Sequence, residues 1–100
     1  MPDFHNDSVR RLFKAISMLE TPEECAAFFE DLCTVRELLD MGQRLDTAIL
    51  LDQGMVYQAI AEKASVSTAT ISRVSRCLSY GSGGYKVVLE RLKEEENDHQ

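Results

Sequence analysis

From Tyr57 to Arg76 the chain reads Tyr-Gln-Ala-Ile-Ala-Glu-Lys-Ala-Ser-Val-Ser-Thr-Ala-Thr-Ile-Ser-Arg-Val-Ser-Arg. These residue types do not suit bond-making chemistry; they suit the reading of a surface. On a helix that begins at Ser67 or Thr68, the outward positions are Thr68, Ala69, Ser72, Arg73 and Arg76, with Thr70 near the edge. Small hydroxyls and alanine permit close approach to base edges in a major groove. Apolar contact recognises thymine methyls, and arginine pairs with guanine. The N-terminus of such a helix, with Ser67 at its cap, also attracts phosphate. For Thr70 and Ser72 two roles stay open, contact with a base or local bonding to the helix's own backbone.

Positioning these side chains takes a helix-turn-helix, expected over about 56–78. Two helices meeting at a steep angle through a short turn need a small residue where their backbones approach, and Ala61 supplies it. Ile60, Ala64, Val66, Ile71 and Val74 are the apolar residues that fill the wedge between them. Ser65 stands where such turns usually carry glycine. Serine enters the left-handed region only at a cost, so a turn of slightly different shape is expected.

The whole chain of 100 residues is acidic, with 17 Asp and Glu against 11 Lys and Arg and a net charge of −6. That balance opposes a polyanionic partner until it is resolved along the sequence. From Lys63 to Val88 there are four basic residues, Lys63, Arg73, Arg76 and Lys86, and no acid. The acidity is therefore segregated from the reading helix, as a specific binder with weak non-specific affinity requires. Gln58, Lys63 and Lys86 are candidate phosphate contacts. Arg10, Arg11 and Lys14 read first as a solvated helix face and second as further phosphate contacts.

The remaining elements are helical as well. Asn6, Asp7 or Ser8 can cap a first helix carrying Val9, Leu12, Phe13, Ile16 and Leu19 and ending near Glu20. Thr21-Pro22-Glu23-Glu24 starts a second with Cys25, Phe28, Phe29 and Leu32 on one face. Thr34 and Glu37 start a long third helix, with a break or bend at Gly42 and an end before Gln53-Gly54. Met55–Lys63 and Thr68–Leu78 form the helix-turn-helix. After the Gly81-Ser82-Gly83-Gly84 loop a last helix carries Tyr85, Val88, Leu89 and Leu92, before 94–100 dissolves into a disordered acidic tail. The expectation is one all-α domain over 1–100 with six helices. A chain of this size buries only about two-thirds of its unfolded surface, so a homodimer is expected to complete the core.

Other chemistry finds little to stand on. The odd count of three cysteines, Cys25, Cys33 and Cys77, contains no CxxC, so they read as buried small hydrophobes in a reducing cytoplasm. His5 and His99 lie at opposite ends, and no metal site is expected. The glycine loop lacks the lysine-threonine and preceding strand of a phosphate loop, so no enzyme is expected. No stretch approaches a membrane span, and no leader is evident.

At Ser67-Thr68-Ala69-Thr70-Ile71-Ser72-Arg73 the sequence resembles the recognition helix of the Trp repressor superfamily, whose motif reads Ala-Thr-Ile-Thr/Ser-Arg after a short turn. The similarity runs upstream through Leu50-Leu51 and Met55 and downstream through Leu78, over roughly residues 33–80. It is nearest to a branch of Trp-repressor-like bacterial proteins with no assigned effector. The resemblance implies an intertwined homodimer of six-helix subunits, with the first three helices and the last in a shared core and two reading heads flanking it. In tryptophan-responsive members the amino acid lies between two arginines. One corresponds to Arg73; the other falls on Gln43, or on Arg44 if one residue is deleted before Met55. Arg44, Arg73 and Val74 are thus the candidate effector pocket. Val74 stands where the family has glycine, and its branched side chain crowds an indole ring. That argues against tryptophan as co-repressor and leaves no cofactor expected. The reading is a dimeric, sequence-specific regulator, a repressor, of double-stranded DNA, with an unknown effector; the alternative is a helical module that docks another protein through the same motif.

Overall fold

The computed structural model describes residues 6–98. Among them the chain forms six helices and no strand: α1 (Asp7–Ser17), α2 (Pro22–Leu32), α3 (Val35–Asp52), α4 (Tyr57–Ala64), α5 (Thr68–Tyr80) and α6 (Gly84–Asp98). The all-α architecture is as expected, and its starts are set by side chains that satisfy free N–H groups. The Asn6 carboxamide oxygen accepts from the N–H groups of Ser8 and Val9 at 2.8 and 3.2 Å. Thr21 Oγ1 accepts from Glu24 N–H at 3.1 Å, and the Glu24 carboxylate accepts from Glu20 N–H at 2.8 Å. Thr34 and Glu37 form a reciprocal box, Thr34 N–H donating to the carboxylate at 2.8 Å and Glu37 N–H to the hydroxyl at 3.1 Å.

Several boundaries differ from those expected of the sequence. Helix α1 stops at Ser17, short of Glu20, where the N–H groups of Met18 and Leu19 turn back to the Ala15 and Ile16 carbonyls and Ser17 Oγ donates to Lys14 O at 2.7 Å. Helix α3 runs through Gly42 without a break, since one glycine costs a long helix only about 1 kcal/mol. It ends where Gly54 takes a φ of +84°, its N–H donating to Leu51 O and that of Met55 to Leu50 O. The start of α4 falls at Tyr57 rather than Met55. Residues 94–98, expected as disordered tail, continue α6 to Asp98. Glutamate and lysine are strong helix formers, and the Lys93 ammonium pairs with the Asp52 carboxylate of α3. His5 and His99 lie outside the described residues.

The described residues divide into two compact units, one up to residue 38 and one from residue 39 onward. In the first, α1 and α2 bury no residue: Phe13 is 50% and Leu32 49% exposed, while the Phe28 and Phe29 rings meet edge to face with centroids 5.8 Å apart. In the second, two small clusters hold α3 to α6 together. Leu50, Ile60 and Ile71 form one, flanked by Leu51, Met55, Ala61, Ala64 and Val66; this is the expected wedge of the helix-turn-helix. Val74 is the exception to that expectation. It belongs to the other cluster, with Ala48 and Leu89, because position 74 faces α3 and α6. Thr47, fully buried, donates its hydroxyl proton to Gln43 O at 2.7 Å.

The cysteines are unbridged; Cys25 and Cys33 are half-buried, but Cys77 is exposed. Its place as a buried small hydrophobe is therefore corrected: Leu78, one residue on, takes the inward direction against the core and leaves Cys77 at the edge of the outward face. Ser65 does enter the left-handed region, with φ 55° and ψ 48°, and Val66 N–H closes the turn onto Ala61 O at 3.3 Å. The glycine-type turn is kept, and serine carries its strain.

Two measurements check these local arguments. Ser65→Gly should stabilise the protein by about 0.5–1 kcal/mol, the left-handed cost less the added freedom of glycine in the unfolded chain. An unchanged or lowered thermal midpoint would contradict the strain. Glu37 has its carboxyl held below its ordinary value of 4.5, first by the Thr34 N–H and then by the Thr34 hydroxyl, against a small opposing effect of desolvation. Stability from a depressed carboxylate is present above the unfolded value and lost as pH falls through the folded one. An NMR titration of Glu37 should therefore show a midpoint below 4.5, and Thr34→Ala should raise it partway, because the N–H remains.

Candidate nucleic-acid interface

Helix α5 is capped by one of its own candidate contact residues. Ser67 Oγ accepts from Thr70 N–H at 3.1 Å and donates to Thr70 Oγ1 at 3.1 Å. Of the two roles left open for Thr70, the structure shows the local one: its backbone and its hydroxyl are both engaged at the cap, and the side chain is half-buried. Ser67 remains exposed. Thr68, Ala69, Ser72, Arg73 and Arg76 are all exposed. Ile71 and Val74, at 0% and 1% exposure, lie on the opposite side of the same helix. The helical period of 3.6 residues thus splits α5 into an anchored half and an outward half.

The anchored half is held from two sides. Helices α4 and α5 pack through Ile60 and Ile71, and α5 packs on α6 beside Val74 and Leu89. A polar link adds to this: Gln43 of α3 donates its side-chain N–H to Ser65 O at the turn, a long hydrogen bond at 3.4 Å. Sequence reasoning passed over this role for Gln43. Its signal, an amide on α3, is legible only once the turn is in place. Tyr80, which follows Arg76 at helical spacing, is 87% exposed.

The candidate phosphate contacts are spread around this frame. Gln58 on α4 and Lys86 on α6 are exposed. Lys63, also exposed, borders a cavity of about 220 Å³ lined by Asp46, Ile49, Leu50 and Ala64 besides itself. Asp46 comes from α3, so the acid-free run of sequence is not acid-free in space near Lys63. Around Arg73 and Arg76 no ion pair is seen among the described residues. Arg10, Arg11 and Lys14 are exposed on α1 in the other unit.

The candidate effector residues take three different environments. Arg73 points outward on α5, Arg44 is half-buried on α3, and Val74 is core against Ala48 and Leu89. No group of three or more His, Cys, Asp or Glu side chains placed to hold a metal occurs among the described residues. No described helix is long and apolar enough to cross a membrane.

Comparison with known proteins matches this arrangement. The model of the Trp repressor protein family matches residues 7–93. The uncharacterised YerC protein of Bacillus subtilis (strain 168) is 47% identical over 88 residues, covering 88% of this chain and 85% of its own. The crystal structure of a TrpR-like protein from Eubacterium eligens ATCC 27750 superposes with a TM-score of 0.85 at 47% identity, over 89% of this chain and 92% of that one. A candidate Trp repressor from Staphylococcus aureus gives a TM-score of 0.85 at 44% identity, over 89% of each chain. A family match over nearly the whole length, joined to the same six-helix fold, places the protein in the Trp repressor family.

Proposed function

We propose that the protein is a dimeric, sequence-specific DNA-binding transcriptional regulator that acts as a repressor by placing α5 in the major groove. The observation that carries this reading is the division of α5. Thr68, Ala69, Ser72, Arg73 and Arg76 are exposed while Ile71 and Val74 are fully buried, so a rigid helix presents short groove-fitting side chains and two arginines. Gln58 and Lys86 supply phosphate contacts, with Lys63 weakened in that role by Asp46. The protein works by binding, with no catalytic step, and in the cytoplasm where its DNA lies.

Dimerisation is supported by the first unit. No side chain of α1 or α2 is fully buried within the unit, and Leu32 of α2 is 49% exposed, which leaves apolar surface for a further contact. A second copy supplies the matching surface, and its two-fold symmetry would set two α5 helices against successive major grooves. On the effector, Val74 fills the space between α3 and α6 from within, and Gln43 ties the turn to α3. The reading head is then held by the chain's own side chains, and DNA binding needs no tryptophan.

Selection of sites from random duplex DNA, at two salt concentrations and with or without tryptophan, tests the reading. A two-fold symmetric site is expected in both conditions. Arg73→Ala or Arg76→Ala should cost about 1–3 kcal/mol, with relaxed preference at one base position if the arginine reads a base. An equal loss on every sequence would reassign that arginine to phosphate; recovery of no motif at all would favour docking of a protein partner. Sedimentation equilibrium should give twice the 11.3 kDa chain mass. Phe13→Asp should shift it towards monomer, and a monomeric wild type at DNA-binding concentrations would sink the dimer.

A further inference from the structure

The outward face of α5 continues past Arg76. Ala69, Arg73, Arg76 and Tyr80 succeed one another at spacings of four, three and four, so they form one line opposite Ile71, Val74 and Leu78. Tyr80 closes that line as the last residue of α5, 87% exposed. The adjoining glycine fixes its position. Gly81 N–H donates to Cys77 O at 2.9 Å, and a Cβ at Gly81 would overlap that same carbonyl oxygen, so only glycine lets the chain leave the helix here.

Length and charge decide what the ring meets. Eleven helical steps separate Ala69 from Tyr80, about 16 Å along the axis, whereas the major groove is about 12 Å wide. A helix that reads bases with its N-terminal half therefore carries its last turn to the wall of the groove, where the sugar-phosphate backbone runs. Helix α5 itself and the loop that follows it carry no acidic residue to repel that backbone. A phenol offers a hydroxyl donor for a phosphate oxygen and an apolar ring for the sugar.

We infer that Tyr80 is a DNA-backbone contact, donating its hydroxyl proton to a phosphate oxygen at the groove edge. It fixes the depth and register at which Ala69, Arg73 and Arg76 enter. This rests on the assignment of α5 as the DNA-reading helix. The contact is uncharged, which separates it from a lysine contact. Losing it lowers affinity without releasing fewer counterions, so the salt dependence keeps its slope.

The experiment is titration of wild type, Tyr80→Phe and Lys86→Ala against the selected duplex and against variants with single base changes, across a salt series. Tyr80→Phe should raise Kd about tenfold, equally on every sequence and with an unchanged slope of log K against log salt. Neutral methylphosphonate linkages placed one at a time should reveal one flanking phosphate whose replacement weakens wild type but not Tyr80→Phe. Circular dichroism and sedimentation should match wild type. A Kd within about twofold of wild type overturns the contact while leaving DNA binding intact. A loss that depends on base identity overturns the backbone assignment. A changed oligomeric state overturns it too, making Tyr80 part of an interface between copies. If wild type itself binds no duplex, the contact falls together with the reading on which it rests.

Discussion

The junction of Ile60 and Ile71 over Leu50 is the constraint on which the candidate interface depends. Both isoleucines are fully buried, and each fixes one helix of the pair: Ile60 holds α4, Ile71 holds α5. Burying a side chain of this size is worth about 1.5–3 kcal/mol, a large share of what a small unit has to spare. Once Ile71 is inside, the helical step of about 100° per residue leaves no freedom in where Ala69, Ser72, Arg73 and Arg76 go. The second cluster, Ala48, Val74 and Leu89, removes the remaining rotation by fastening the middle of α5 to α3 and α6. The direction of the outward side chains is thus set by a few methyl groups on the opposite side of the helix.

Charge acts on a longer scale. The acidic excess of the chain lies outside the segment that carries the reading helix, and α6 ends in Glu94, Glu95, Glu96 and Asp98, all exposed. An acidic exterior repels non-specific polyanions, while the segment around Arg73 and Arg76 keeps a local attraction. Asp46 shows the limit of reading such a field from sequence: it is seventeen positions from Lys63 yet lines the same cavity.

How much of the molecule is legible in the sequence depends on the kind of physics involved. Caps are local, so Thr21 with Glu24 and Thr34 with Glu37 announce two helix starts correctly. The wedge of the helix-turn-helix is legible because small and branched residues at fixed spacings leave one way to pack. Val74 is misassigned to that wedge because periodicity places a residue on a face but does not say which neighbour covers it. The α6 end is misread because a run of acids suggests repulsion, when glutamate's helix preference and the Lys93–Asp52 pair extend the helix. Ser65 suggests a changed turn; the hydrogen bonds from Val66 and Gln43 show instead a turn held in shape around a strained residue.

The two halves of α5 divide the labour of the helix between different residues. Substitutions at exposed positions such as Ala69 or Ser72 generally move stability by no more than about 0.5 kcal/mol, whereas those at Ile71 or Val74 open cavities or clashes in the core. The outward surface can therefore change while the scaffold stays folded, so that on the proposed reading a new binding preference arises without first surmounting a folding barrier. The same separation makes the helix a tractable scaffold for retargeting: its outward letters can be rewritten one by one while its grammar is left untouched.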